Sequence, residues 1–177
     1  MHGVGVRRNP GDRRVRTADR ALAAPGAVRG RDEIQALIDA RRIELVQPDA
    51  RLATIQLEQA RDSLDLAAEQ SEVRPEASLT LAYDAARKVV SAMLEVQGLR
   101  ARMPNAHANV QEALRAQWGA SLADRFNAAR KARHRAEYPS ESTTRTVPQS
   151  AARTVALAKE LLRLAEDQIP TLSPFPR

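Results

Sequence analysis

Between Pro75 and Gly98 the chain carries Leu79, Ala82, Ala86, Val89, Val90, Met93 and Leu94 at helical spacing. Proline suits a first helical turn and glycine a helix stop, so both ends are marked. This apolar stripe is the widest in the sequence and needs other elements to cover it. The neighbouring segments supply helices. Leu52, Ile55, Gln56, Ala60, Leu64 and Ala67 keep helical spacing from Pro48 to about Gln70. After a break at Met103-Pro104-Asn105, a shorter helix runs from His107 to about Trp118, carries Val110 and Leu114, and stops at Gly119. A further helix runs from about Leu122 to Glu137, led by Phe126, Ala129 and Ala132, and enters a loop from Pro139 to Pro148. The last, about Gln149 to Gln168, places Val155, Ala158, Leu161, Leu162 and Ala165 on one side before Pro170. The apolar residues are mainly Ala and Leu, aromatics are 3%, and β-branched runs bounded by turn residues are missing, which favours closely packed helices over sheets. The expected fold class is all-α, an antiparallel bundle of four to five helices with a short leader helix before it.

The leader is read from Arg31 to about Ala40, with Asp32 and Glu33 in its first turn and Ile34, Leu37 and Ile38 as its stripe. Ile43, Leu45 and Val46 follow as an extended or irregular segment. So few apolar side chains do not make a domain, so the leader is expected to pack on the body or on a partner. Residues 1 to 30 are rich in Gly, Pro, Arg and Ala, and their burial would not offset the entropy of ordering them. The expected layout is a disordered basic tail at 1–30, leader and linker at 31–46, the bundle at 47–170 and a C-terminal tail at 171–177.

A pI near 10.6 suggests nucleic acid, but the position of the charge matters more than its sum. Seven Arg and two Asp lie in residues 1–30, which leaves 21 cations against 20 acids in the rest. The body is therefore nearly neutral, except for five cations between Arg125 and Arg135. The chain has no cysteine, which rules out a disulfide framework and fits a reducing compartment, with the cytoplasm as the expected location. There is no apolar run of about 18 residues to span a bilayer, and no apolar segment follows Arg7-Arg8 as a secretory signal would need. His2, His107 and His134 lack metal-ligand spacing, so neither metal nor cofactor is expected.

The local cation cluster ends in Arg130-Lys-Ala-Arg-His-Arg-Ala-Glu-Tyr138. At about 100° per residue, Arg130, Arg133, His134, Glu137 and Tyr138 share one helical face, with Arg135 adding charge nearby. The ordinary reading is a solvated helix end with an Arg133–Glu137 pair. Tyr83 and Asp84 stand out because they interrupt an apolar helix, where a carboxylate needs a cation. Lys88 supplies one on the same helix, and Arg130 or Arg133 would supply one from across the bundle. Trp118, beside Gly119, is read as a packing residue whose indole N–H reaches a carbonyl or water.

Leu81-Ala-Tyr-Asp-Ala-Ala-Arg-Lys-Val-Val, Leu94-Glu-Val-Gln-Gly-Leu-Arg100, His107 and the Arg130–Tyr138 run together resemble a HEPN domain, of a kind common in actinobacterial proteins. The resemblance covers roughly residues 48 to 168. It implies a small helical bundle that usually dimerises, often beside a nucleotidyltransferase antitoxin in a toxin–antitoxin pair or in another defence system. Many members are metal-independent ribonucleases with an Arg followed a few residues later by a His, repeated across the dimer groove. Arg would hold the phosphodiester and the imidazole would move protons. Here Arg133 takes the Arg position, and Tyr138 stands where the family has His. A phenol with a pKa near 10 is a poor proton shuttle at neutral pH. His134 adjoins Arg133 in sequence and projects about 100° away from it. The resemblance thus implies Arg133, Tyr138 and His134 as candidate catalytic residues, and Arg130, Arg135, Tyr83 and Asp84 as candidate ligand- or RNA-binding residues. Three readings stay open: a non-catalytic or weakly active module that binds RNA, a nucleotide or a partner protein; a ribonuclease toxin acting at a dimer groove; and a purely structural helical dimer.

Overall fold

In the computed structural model, residues 29–138 and 148–176 are described, and the readings of residues 1–28, of the 139–147 loop and of residue 177 lie outside them. The first helix, α1 (Arg31–Asp39), leads into β1 (Ile43–Leu45) and then α2 (Ala50–Gln70) and α3 (Pro75–Glu95). After β2 (Leu99–Ala101) come α4 (Ala106–Trp118), α5 (Ala120–Glu137) and α6 (Pro148–Gln168), closed by a 3-10 turn at Ile169–Thr171. Among the described residues the architecture is an all-α bundle of five helices with a leader helix, and the strands form one small ribbon.

Helix α3 is the central element and packs against α2, α4, α5 and α6. It is buried around most of its circumference, including Leu79, Ala82, Ala85, Ala86, Val89, Val90, Ala92, Met93 and Leu94. A helix that is apolar on nearly every side has to be enclosed. Its many alanines let neighbouring backbones come close without side-chain entropy to lose. Helix α2, joined to α3 by the four residues 71–74, covers one side with Ala53, Leu57, Ala60, Leu64 and Ala67. Helix α6 covers another with Leu157, Ala158, Leu161 and Ala165.

The sequence places the start of α2 at Pro48, but Asp49 is the cap. Its carboxylate accepts a hydrogen bond from the Leu52 N–H at 2.8 Å, satisfying one of the donors a helix start leaves open. Pro48 lies just outside, against Gly98, which adopts a φ of +70°. A Cβ at Gly98 would lie 2.7 Å from the Val46 carbonyl oxygen, so the close approach of these two segments requires glycine there.

Strands β1 and β2 pair antiparallel, with Ile43 opposite Ala101, Glu44 opposite Arg100 and Leu45 opposite Leu99. Two flanking hydrogen bonds, Val46 N–H to Gly98 O and Arg102 N–H to Arg42 O, extend the ribbon. Ile43–Val46 reads as extended or irregular in the sequence, and Leu99–Ala101 carries no strand signal. Three residues are too few to show a period of two, and Leu-Arg-Ala is not β-branched. The ribbon ties the leader to the body, and α1 packs on α4. Ile34 is fully buried, and Gly30 approaches Ala116 so closely that no side chain fits between them.

The segment after α6 also returns to the core. Phe175 is buried, and its N–H donates to the Gln97 carbonyl at 2.8 Å. Trp118 donates its indole N–H to Gln168 Oε1 at 2.8 Å, the polar contact its ring position requires. Among the described residues no helix is long and apolar enough to cross a membrane.

Candidate functional site

Tyr83 anchors the site from the middle of α3. Its ring is buried, tilted against Phe126 of α5 at 5.4 Å and stacked with His107 of α4 at 5.9 Å between centroids. The Arg133 guanidinium sits over the same ring, 5.6 Å from its centroid, within cation–π range. Three helices therefore meet at one phenol. Tyr83 Oη and His107 Nδ1 are 2.9 Å apart. Burial pushes the Tyr83 phenol up to about 12, against the opposing pull of Arg130, Arg133 and Arg87. It keeps its proton at neutral pH, and His107 is its hydrogen-bond partner among the described residues. A buried hydroxyl that only accepted would leave its own O–H unpaired, so Tyr83 donates to Nδ1. The ring proton of the neutral imidazole is then on Nε2.

His107 is neutral for a related reason. Burial, then the positive fields of Arg87, Arg133 and Arg130, hold its pKa below the usual histidine value. The result is a neutral imidazole in the positive field of three arginines.

Of the residues singled out in the sequence, Tyr83, Arg130 and Arg133 come together here. Arg130 bonds Asn127 Oδ1 at 3.0 and 3.3 Å and makes no ion pair among the described residues. Arg133 also pairs with Glu137 at 2.5 Å, as its spacing suggested. Asp84 takes the local answer, with Arg87 at 2.7 Å and Lys88 at 2.8 Å on its own helix. Burial alone would raise its pKa, but these two hydrogen-bonded cations outweigh that and hold the carboxyl below its usual range. His134 and Tyr138 form a separate, exposed aromatic pair with centroids 5.0 Å apart. Arg135 faces another groove of about 440 Å³ between α5 and α6, whose rim also carries Arg125 and Arg153.

The run at the end of α5 thus divides. Arg133 turns onto α3, while His134, Arg135 and Tyr138 do not join it. Arg87 and Phe126 complete the site, although the sequence reading gave neither a role in it. Arg87 lies one helical turn beyond Tyr83, which is a usable signal. Nothing in the spacing connects Tyr83 with His107, 24 residues away.

Arg87, Arg130, Arg133 and the His107 Nε2–H are all donors. Such a set suits an oxyanion, above all a phosphate, whose oxygens only accept. Among the described residues no three His, Asp or Glu side chains gather as metal ligands.

The depressed His107 pKa has a signed consequence. Between the folded value and the ordinary 6.5 or so of a free histidine, the unfolded chain binds the extra proton. The stability His107 contributes is therefore present above about pH 6.5 and is lost as pH falls through the folded pKa. Urea unfolding at pH 7 and pH 5 should show a smaller acid loss for His107→Gln than for the wild type. In an NMR titration, the His107 midpoint should move upward in Arg133→Ala.

No family model matches the chain, and no curated protein or solved structure matches it either.

Proposed function

We propose that this protein is a HEPN-like helical module that binds RNA or a nucleotide through its phosphate, at the junction of α3, α4 and α5. One observation carries the reading: Arg133 lies over the Tyr83 ring, His107 bonds its hydroxyl, the charges of Arg130, Arg133 and Arg87 all act on it, and Arg130 is held only by the Asn127 amide among the described residues. The HEPN resemblance supports the same reading and adds partners to it, a second copy of the chain and a cognate nucleotidyltransferase antitoxin, in a cytoplasmic toxin–antitoxin or defence-type system.

Binding is favoured over cleavage because the groups that would shuttle protons are committed elsewhere. His107 Nδ1 takes the Tyr83 hydrogen bond, and Tyr138 lies exposed against His134. A metal-independent ribonuclease is the second reading, supported by the neutral imidazole set among three arginines.

Fluorescence anisotropy with a labelled single-stranded RNA tests both. The wild type should bind with an affinity that falls as salt rises. Arg130→Ala/Arg133→Ala should weaken binding at least about tenfold and flatten the salt dependence. Equal affinity of the two proteins overturns the binding site. Gels of the same mixtures in EDTA should show intact RNA, and cleavage that disappears in His107→Ala would instead establish the nuclease.

A further inference from the structure

A concavity beside the arginine cluster shares Arg87 and His107 with it. It lies between α2, α3, β2 and α4 and has a volume of about 360 Å³. Leu52, Leu94, Leu99 and Val110 give it apolar walls. That volume is at the small end of ligand pockets, which run from about 300 to 1,000 Å³, and is enough for one planar heterocycle.

Two of its acceptors are incompletely bonded. Gln56 Oε1 is inaccessible to solvent and has no hydrogen-bond partner among the described residues. Glu95 is buried, and Arg100 reaches its Oε1 at 3.2 Å from an exposed position, while Oε2 receives no hydrogen bond among the described residues. Both side chains line this cavity. A buried acceptor left open is costly, and a ligand that brings donors removes the cost.

Two acceptors at the wall, apolar sides, and cations at the mouth specify the ligand's chemistry. It is flat, offers adjacent N–H donors on one edge, and carries an anionic group toward Arg87 and His107. An ammonium ligand fits poorly because Arg87 and Arg100 flank the space. Among nucleobases, guanine presents a ring N–H and an exocyclic amine side by side, which one carboxylate can accept together. Adenine offers only the amine on that edge.

We infer that this cavity is a base-reading subsite, in which Glu95 and Gln56 select guanine while the neighbouring arginine cluster holds the attached phosphate. The inference rests on the phosphate-binding reading for its second half only.

Isothermal titration of the full chain with GMP, AMP, guanosine and ribose 5-phosphate tests it. GMP should bind at least about tenfold tighter than AMP, the discrimination one good bidentate pair provides. Glu95→Gln should remove at least about tenfold of the GMP affinity and leave AMP within about twofold, because its amide NH₂ faces the guanine donors. Gln56→Leu, which leaves the Glu95–Arg100 pair untouched, should also reduce the GMP preference. Circular dichroism melts confirm that both variants are folded. Equal affinity for GMP and AMP, or a Glu95→Gln effect of the same size on both, overturns the subsite. If ribose 5-phosphate and RNA bind but no base preference exists, the subsite falls and the phosphate-binding cluster stands. If guanosine binds with Glu95 dependence while ribose 5-phosphate does not bind, the subsite stands and the phosphate reading falls.

Discussion

Phe126→Ala should lower the unfolding free energy by about 3–5 kcal/mol, the usual cost of emptying a buried aromatic site. Phe126 is fully buried on α5, and its ring forms one wall around Tyr83. The alanine leaves a cavity that α3 and α5 cannot both close, since α3 is held by α2 and α6 on its other sides. A domain of this size has about 5–15 kcal/mol of stability in all, so the loss is a large share of it. Urea denaturation should show a lower midpoint with an unchanged slope. An unchanged midpoint would mean that Phe126 does not carry this junction.

Gln97→Leu should cost about 1–3 kcal/mol, and part of that should return in Gln97→Leu/Gln117→Leu. The two amides are buried and bond reciprocally, Gln97 Nε2 to Gln117 Oε1 at 3.0 Å and Gln117 Nε2 to Gln97 Oε1 at 2.8 Å. Removing one partner strands the other in the core, whereas removing both leaves only apolar surface. Gln97 also donates to the Met93 carbonyl at 2.8 Å, so recovery should be incomplete by roughly the worth of one hydrogen bond, about 1 kcal/mol. A double variant no more stable than Gln97→Leu would show that the cost lies outside this pair.

The helices were legible because their signal is local. Leu79 to Leu94 repeats at the helical period whatever surrounds it, and Pro75 and Gly98 mark where it stops. The ribbon was not, since Leu99–Ala101 becomes a strand only by meeting Ile43–Leu45, more than fifty residues earlier. At the site, Tyr83 was conspicuous as a hydroxyl inside an apolar stripe. A helical wheel, however, treats the polar side of α5 as one face. Packing against α3 and α6 divides that side, so Arg133 meets Tyr83 while Arg135 faces a different groove. His107 was visible only through the family resemblance, because its partner lies on another helix. Gln56 stood in the α2 stripe and Glu95 in a segment of the resemblance, but nothing in the sequence gave either a role, since their surroundings depend on four elements closing around them.

The seating of α1 on α4 bears on the order of assembly. A ribosome makes the leader before the body, yet its seat on α4 and β2 is made of residues synthesised some sixty to eighty positions later. Until those emerge, Ile34, Leu37 and Ile43 lack that seat, so the leader waits through the synthesis of α2, α3 and α4 before it docks.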